Sequence, residues 1–250
     1  HNPIIQALRN QCQPNYNPIS VADLERLIIF NKNKKRKVLY SIQHQDRNKV
    51  GVAFVQFDNG LLAKENGNVV FIDQLARSAT NLPMYITNGN TPVGLYRIHS
   101  LAKSENVFIG PTVSFVTFLP FECEASLFFN STETQFTLEN YLNFFPNELR
   151  KNTLLQQTFW AGKAGRSEIH FHGTTIDPNI YLSKPFYPQT PSMGCLCANE
   201  IWDKDGNLIE SGQQRLVNTW QNSKEEQGYA YVLELNESDW EFWKEKINTL

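Results

Sequence analysis

The chain has 250 residues, of which 41% are hydrophobic and 12% aromatic, and its formal net charge at pH 7 is −2. This composition predicts a folded protein with one large domain and excludes a disordered chain, because the apolar surface is sufficient to offset the chain entropy. The charge balance lacks the strong basic field of a nucleic-acid-binding protein, so we expect no nucleic-acid partner. No apolar stretch approaches the roughly 18 residues that a membrane helix needs, so we expect no membrane-spanning segment.

The N-terminal part, residues 1–37, is predicted to be helical. Ile4, Ile5 and Leu8 fall on one face of a first helix, and Ser20 with Asp23 gives a capping-box pattern at the start of a second. A basic run follows at residues 32–37. We interpret it as a solvated turn between a helix and a strand. The functional alternative is a patch that contacts an anionic polymer such as the cell wall.

Short runs of β-branched and aromatic residues, separated by Asn-Gly turns, predict a series of strands after this turn. Helical patterns interrupt the series, which indicates a helical insertion at residues 121–165, with helices at 137–145 and from Pro146 to Leu155. The whole pattern predicts an α+β fold that is mainly β. The predicted strands are 38–42, 50–57, 69–72, 84–87, 95–99, 113–119, 169–172 and 229–235, and further helices are predicted at 209–220 and from Ser238.

One histidine-containing strand and one cysteine-containing turn could together carry acyl-transfer chemistry. His170 and His172 lie on one face of the predicted strand. A thiol such as that of Cys195 becomes nucleophilic near neutral pH when a neutral imidazole can take its proton. Gly194 permits a turn whose N–H groups face a developing oxyanion, and it lets a substrate carbonyl approach the backbone.

The same residues leave other interpretations open. His170, His172, Cys195 and Cys197 supply two nitrogen and two sulfur ligands, a set that suits zinc, although the spacings are short for a structural site. A non-catalytic metal-binding module is therefore an alternative. The chain's four cysteines are too few for a disulfide scaffold at this length, and the spacing does not decide the state of the remaining two, Cys12 and Cys123.

Three short motifs resemble those of the L,D-transpeptidase family in the family's order. They are the Thr-Pro-x-Gly-x-aromatic segment at 91–96, the His-Gly-Thr strand at 172–174, and the Ser-x-Gly-Cys turn at 192–195. The resemblance implies a β-sandwich or barrel core. It makes residues 38–220 the catalytic domain, with 121–165 inserted and 221–250 as a C-terminal strand–helix extension.

The resemblance also implies the roles of individual residues. Cys195 would attack the acyl donor and form a thioester, and His172 would take the thiol proton and return it to the leaving amine. Backbone N–H groups around Gly194 and Cys195 would form the oxyanion hole. The residues that would bind substrate or shape its site are His170, Gly173, Thr174 and Ser192.

The implied substrate is a peptidoglycan stem tetrapeptide, cut before its last residue. An amine acceptor gives a cross-link, water gives an L,D-carboxypeptidase, and a protein lysine attaches a lipoprotein; the sequence does not choose among them. The resemblance implies no cofactor and no metal. It implies a monomer in the periplasm or at the outer cell surface, which would need a signal peptide outside the given sequence.

Two departures from the family's motifs bear on function. Met193 stands where the family usually has histidine, and Cys197 stands where it commonly has Arg or Asn to hold substrate. Arg166 and Arg215 are candidates for a replacement anchor, with a surface role as the alternative for each. These departures also keep open a degenerate member that binds wall material without turnover.

Overall fold

The computed structural model describes residues 2–105, 109, 112–174, 178–205 and 207–250. The fold is a mixture of α and β that is mainly β, as the sequence predicts. The strands are β1 Val38–Gln43, β2 Gly51–Gln56, β3 Lys64–Glu65, β4 Asn68–Val69, β5 Ile72–Leu75, β6 Gly94–Ala102, β7 Ser114–Phe118, β8 Phe171–Gly173, β9 Leu196–Ala198, β10 Glu200–Trp202, β11 Leu208–Ser211 and β12 Gly228–Glu234. The helices are α1 Pro3–Gln11, α2 Val21–Asn33, α3 Ala125–Phe129, α4 Leu138–Leu142, α5 Gln157–Lys163, α6 Gly212–Gln221 and α7 Trp243–Asn248, with short 3-10 helices at Leu154–Gln156, Pro178–Tyr181 and Glu237–Asp239.

Eight of these strands close into a barrel in the order β1-β12-β6-β7-β8-β9-β5-β2, while β3-β4 and β10-β11 form two small separate sheets. The pairs β1/β12 and β8/β9 are parallel. The pairings β12/β6, β6/β7 and β7/β8 that connect them are antiparallel. The strands β8 and β9 therefore run in the opposite direction to β1 and β12.

Side chains that alternate along each strand divide between two apolar layers. In β1, Leu39 joins a cluster that draws on all eight barrel strands and on α6, which is the barrel interior. Tyr40 and Ile42 face the other way, into a layer between the barrel and the helices α2, α3, α4, α5 and α7. The barrel is thus packed on its inside and along the side that carries β1 and β12.

The two predicted N-terminal helices are confirmed, and α1 turns its apolar face to solvent. Ser20 and Asp23 form the expected capping box at the start of α2. In α1, the buried residues are Ala7 and Asn10, whereas the apolar side chains of residues 4, 5 and 8 are exposed. Asn10 donates a side-chain hydrogen bond to Gln156, at 3.0 Å. A buried amide pair thus helps to orient α1 against the segment that leads into α5.

Three predicted elements are wrong in position or type. Residues 84–87 form turns rather than a strand. The helix predicted from Pro146 begins only at Leu154, where the Asn152 side chain accepts the Leu154 N–H at 3.0 Å. The helix predicted from 209 begins at Gly212, because Ser211 ends β11 and caps α6.

The helical segment 121–165 and the C-terminal segment 221–250 both contact the barrel closely. Strand β12 pairs with β1 on one side and with β6 on the other. Tyr141 of α4 is fully buried, and its hydroxyl accepts the Leu95 N–H of β6 at 3.1 Å. Across the described residues, no helix has both the length and the apolar character to cross a membrane.

Candidate active site

Strands β8 and β9 place the predicted histidine and cysteine residues on one face. In this parallel pair, Phe171 is opposite Leu196 and His172 is opposite Cys197. Phe171 and Leu196 point into the barrel, so His172 and Cys197 lie on its outer face. Cys195 precedes β9 and shares the face of Cys197 because the two are separated by one residue.

The turn before β9 is held by its own side chains. Ser192 donates its hydroxyl to the Cys195 carbonyl at 2.8 Å and accepts the Gly194 N–H at 3.1 Å. Gly194 has φ of +117°, and a Cβ there would lie 2.5 Å from the Arg166 guanidinium and 2.7 Å from the Gly89 carbonyl. Only glycine fits this position without displacing its neighbours.

The oxyanion-hole donors predicted from the sequence differ in availability. The Gly194 N–H is engaged by the Ser192 hydroxyl inside the turn. The Gly194 carbonyl accepts a hydrogen bond from Thr91 at 2.8 Å, so the Thr-Pro-x-Gly segment contacts the turn before β9. For the Cys195 N–H, the described part of the chain offers no hydrogen-bond acceptor. This N–H is therefore a donor of the turn that an incoming oxygen can use.

The Cys195 sulfur is partly exposed and is flanked by backbone groups. It accepts the His170 N–H at 3.3 Å, and its thiol donates to the Glu168 carbonyl at 3.4 Å. Glu168 has φ of 57°, an uncommon conformation for a residue other than glycine, and its N–H donates to a Glu122 carboxylate oxygen at 2.7 Å. The His170 N–H is placed to stabilise a thiolate at Cys195.

His172 is held in the tautomer that a general base requires. Its Nδ1 lies 2.6 Å from the Gly173 carbonyl, which can only accept a hydrogen bond, so in the neutral ring Nδ1 carries the proton and Nε2 the lone pair. Burial lowers the pKa of His172. The influence of the nearby Cys195, the bond to the Gly173 carbonyl and the charge of Glu200 outweigh burial and raise that pKa above the ordinary value. A buried imidazole that favours its protonated form beside a thiol can take up the thiol proton.

Glu200 is a residue of this site that the sequence analysis missed. Its carboxylate is buried, and its Oε1 accepts the hydroxyls of Thr112 and Ser211, each at 2.6 Å. A Cβ on Gly173 would lie 2.1 Å from the carboxyl carbon, so the glycine next to His172 makes room for this group. Burial raises the pKa of Glu200, although its hydrogen bonds and the charge of His172 act against the shift. No motif in the sequence connects Glu200 to His172, because only the fold brings the two together.

Cys197 lies beside the imidazole of His172, and its sulfur is almost equally distant from the two ring nitrogens. Its sulfur is 3.9 Å from Nδ1 and 3.8 Å from Nε2 of His172. The side chain is 2% exposed, and burial raises its pKa to about 12. It is therefore a neutral thiol at neutral pH, shielded from solvent, and a packing partner of the base.

Of the remaining predicted site residues, His170 contacts the Cys195 sulfur, whereas Thr174 contacts the surrounding protein. His170 is half-buried, its Nδ1 accepts the Thr117 N–H at 3.2 Å, and burial, with the charge of His172, lowers its pKa. Thr174 is buried and its hydroxyl pairs with that of Thr190. The side chain of Thr174 therefore ties the residue that follows β8 to Thr190.

The two arginines considered as substrate anchors have other contacts. Arg166 is buried, and its guanidinium donates to the carbonyls of Met84 at 2.7 Å, Ile86 at 2.8 Å and Gly89 at 3.2 Å. It therefore fastens the turn at 84–89 below Gly194, and it adds positive charge near Cys195. Arg215 is on the surface and pairs with Glu65 at 2.7 Å, as its alternative interpretation predicts.

Two observations bear on the alternatives drawn from the sequence. Met193, in the turn before β9, is 71% exposed, so this position faces solvent. Within the described ranges, no group of three or more His, Cys, Asp or Glu side chains is arranged to hold a metal ion. The two histidines and two cysteines that suggested zinc are all described, and the geometry gives that interpretation no support.

Comparison of the chain with protein-family models, with curated proteins and with solved structures gave no match.

Proposed function

We propose that this protein is a cysteine acyltransferase of the L,D-transpeptidase type that acts on peptidoglycan stem tetrapeptides. The observation that carries the proposal is the constellation on the outer face of β8 and β9. A partly exposed Cys195 sulfur accepts the His170 N–H at 3.3 Å, next to a His172 ring whose Nδ1 is fixed by Gly173 at 2.6 Å. The three sequence motifs that resemble the family meet at this constellation, and they supply the substrate class.

The first half of the reaction forms a thioester. Nε2 of His172 takes the thiol proton of Cys195, and the thiolate attacks the carbonyl carbon between the third and fourth stem residues. The Cys195 N–H is a donor available to the developing oxyanion. When the C–N bond breaks, the imidazolium of His172 gives its proton to the leaving amine, so a free amino acid departs and the tripeptide acyl group stays on sulfur.

The second half of the reaction transfers the acyl group to an acceptor. His172, now neutral, takes a proton from an incoming amine or water, whose nitrogen or oxygen attacks the thioester carbon. The C–S bond breaks and the thiolate of Cys195 is restored. An amine from another stem yields a cross-link, and water yields a trimmed tripeptide, which is the L,D-carboxypeptidase outcome. On this proposal the protein works where peptidoglycan lies, in the periplasm or at the outer surface.

The proposal is tested with purified disaccharide tetrapeptide, read by mass spectrometry, with Cys195→Ala as the control. We expect wild-type protein to release the terminal residue, and either tripeptide or cross-linked dimers to accumulate. Cys195→Ala should do neither. If the wild type leaves the substrate intact but retains it in a pull-down with peptidoglycan sacculi, the protein is a wall-binding module and the catalytic proposal is wrong.

A further inference from the structure

A cavity of about 570 Å³ is lined by none of the residues that surround Cys195, and β7 and β8 separate its β6 wall from β9. Its walls include the loop between α2 and β1, Arg97 of β6, and Tyr229 at the start of β12. In the barrel order, β7 lies between β6, which carries Arg97, and β8, which carries His172, while β9 and Cys195 lie one strand further. The cavity is therefore separate from the site that contains Cys195 and His172.

The charge of this cavity contrasts with that of the whole chain. Five cationic residues line it against two acidic ones, whereas the chain as a whole carries a formal charge of −2. Four of the cations come from the basic run that the sequence analysis assigned to a solvated turn. Clustered positive charge in a concave, partly enclosed wall attracts anions more strongly than the same charge on a flat surface. The cationic residues are Lys34, Lys35, Arg36, Lys37 and Arg97, and the acidic ones are Asp58 and Glu225.

Arg97 has an unused donor at the wall of the cavity. The residue is 3% exposed, and its guanidinium donates to the Gln227 side chain at 2.6 Å and to the Gly228 carbonyl at 3.4 Å. Its Nε is buried and finds no hydrogen-bond partner in the described part of the chain. A buried donor on a charged group is costly to leave without an acceptor. The two acceptors of the guanidinium are a neutral carbonyl and a neutral amide, so these bonds leave the charge of Arg97 uncompensated at the cavity wall.

Two further cations are held in place before any ligand arrives. The Arg36 guanidinium lies 4.0 Å from the centre of the Phe144 ring and donates to the Asn31 side chain at 3.4 Å, so two contacts hold it in place. Lys37 is buried, its ammonium group lies 4.1 Å from the centre of the Trp220 ring, and burial lowers its pKa to about 8. A bound anion would favour the charged form of Lys37.

We propose that this cavity binds a ligand that carries at least two phosphate groups, at a site independent of the acyl-transfer site. Each phosphate offers three or more acceptor oxygens, which suits planar guanidinium groups and mobile ammonium groups together. The rigid pair Arg36 and Arg97 would hold one phosphate, and the exposed Lys34 and Lys35 would reach the next. The ligand is a soluble pyrophosphate-type anion or a phosphodiester polymer, since both present the same repeated charge.

The test uses isothermal titration calorimetry on the full chain at low ionic strength. The two probes are inorganic pyrophosphate and a poly(glycerol phosphate) chain. The test variant is the double charge reversal Lys34→Glu with Lys35→Glu, two exposed positions on the cavity. The matched control is Lys103→Glu with Lys151→Glu, exposed positions outside the cavity. Both doubles change the net charge equally, so they differ only in where the charge is reversed.

We expect wild-type protein to bind one pyrophosphate per chain, the cavity variant to bind at least about tenfold more weakly, and the control to stay within about twofold. Binding of the polymer alone, with the same pattern of variants, would identify a polymer-borne phosphate. Cys195→Ala should bind as the wild type does, because the sites are separate. Equal weakening in both double variants, or no binding of either probe to the wild type, overturns the proposal.

Discussion

Cys197 faces His172 in direct register across β8 and β9, with its sulfur 3.8 Å from Nε2 of the imidazole. One histidine therefore has two thiol neighbours, Cys195 and Cys197. The two differ in access: Cys195 is partly exposed, whereas Cys197 is 2% exposed, and burial raises its pKa to about 12. These different surroundings favour Cys195 as the nucleophile of the proposed reaction.

Alkylation with iodoacetamide should separate the two thiols. We expect Cys195 to be modified first near neutral pH, because the His170 N–H and His172 stabilise its thiolate, and Cys197 to remain unmodified in the folded protein. Cys12 is fully exposed and serves as the internal reference thiol. Time-resolved peptide mapping gives the three rates. Modification of Cys197 before Cys195, or of Cys195 more slowly than Cys12, would contradict the assignment.

Gly173→Ala should destabilise the fold, because the added Cβ would lie 2.1–2.4 Å from the atoms of the Glu200 carboxylate. We expect a loss of about 1–3 kcal/mol in the free energy of unfolding, measured by urea denaturation. Gly67→Ala is the control: it has φ of +83° but no atom within 4 Å of the added Cβ. We expect Gly67→Ala to lower the free energy of unfolding by about 1 kcal/mol, through the backbone conformation alone. The same loss with unchanged activity in both variants would show that the Glu200 contact does not matter.

Glu200→Gln should lower the pKa of His172, because the negative charge of Glu200 helps to raise it. Glutamine keeps the acceptor for Thr112 and Ser211 and removes only the charge. An NMR titration of the imidazole C–H signals reports the pKa directly. A pKa of His172 that is unchanged or higher in this variant would contradict the role of Glu200.

The raised pKa of His172 also makes the stability of the fold depend on pH. Because the pKa of His172 is raised on folding above the reference value of 6.5, its charge interactions stabilise the fold fully below that pH and lose this effect as pH rises through the folded pKa. In Glu200→Gln this part of the stability should shrink at acidic pH. Urea denaturation of the wild type and the variant at a series of pH values measures it.

Arg166→Lys should loosen the turn at 84–89, because one ammonium cannot reach the three carbonyls that the guanidinium holds. We expect faster hydrogen exchange in that turn and at Gly194, with β12 unaffected, and a stability loss of roughly 1–3 kcal/mol. Arg215→Lys, at an exposed ion pair, should change stability by no more than about 0.5 kcal/mol. Equal effects of the two substitutions would show that Arg166 does not fasten the turn.

Local signals in the sequence predicted the elements that local physics determines. The capping box of Ser20 and Asp23 and the run of β-branched and aromatic residues at 38–42 act within a few residues, and both appear in the structure. Residues 84–87 read as a strand but form turns, because their carbonyls bind the distant Arg166 guanidinium. The insertion of β12 between β1 and β6 likewise depends on pairings across the whole chain, which no window of sequence contains.

In the candidate site too, some residues could be found from the sequence, whereas others depend on contacts that only the fold creates. His172 and Cys195 were candidates by residue type, since acyl transfer by a thiol needs a base and a nucleophile, and the resemblance to the L,D-transpeptidase motifs implied their roles. Glu200 was missed because its relation to His172 depends on the space above Gly173, which exists only in the folded chain. Cys197 was left with several roles, and its burial beside the imidazole leaves it as a neutral packing partner.

Intact-protein mass spectrometry during turnover tests the central claim most directly. Wild-type protein is mixed with disaccharide tetrapeptide and quenched in acid, and Cys195→Ala and Cys197→Ser are treated in the same way. We predict a tripeptide acyl adduct on the wild type and on Cys197→Ser that is removed by hydroxylamine, as a thioester is, and no adduct on Cys195→Ala. An adduct that persists in Cys195→Ala, or one that is lost only in Cys197→Ser, would contradict the assignment of Cys195 as the nucleophile.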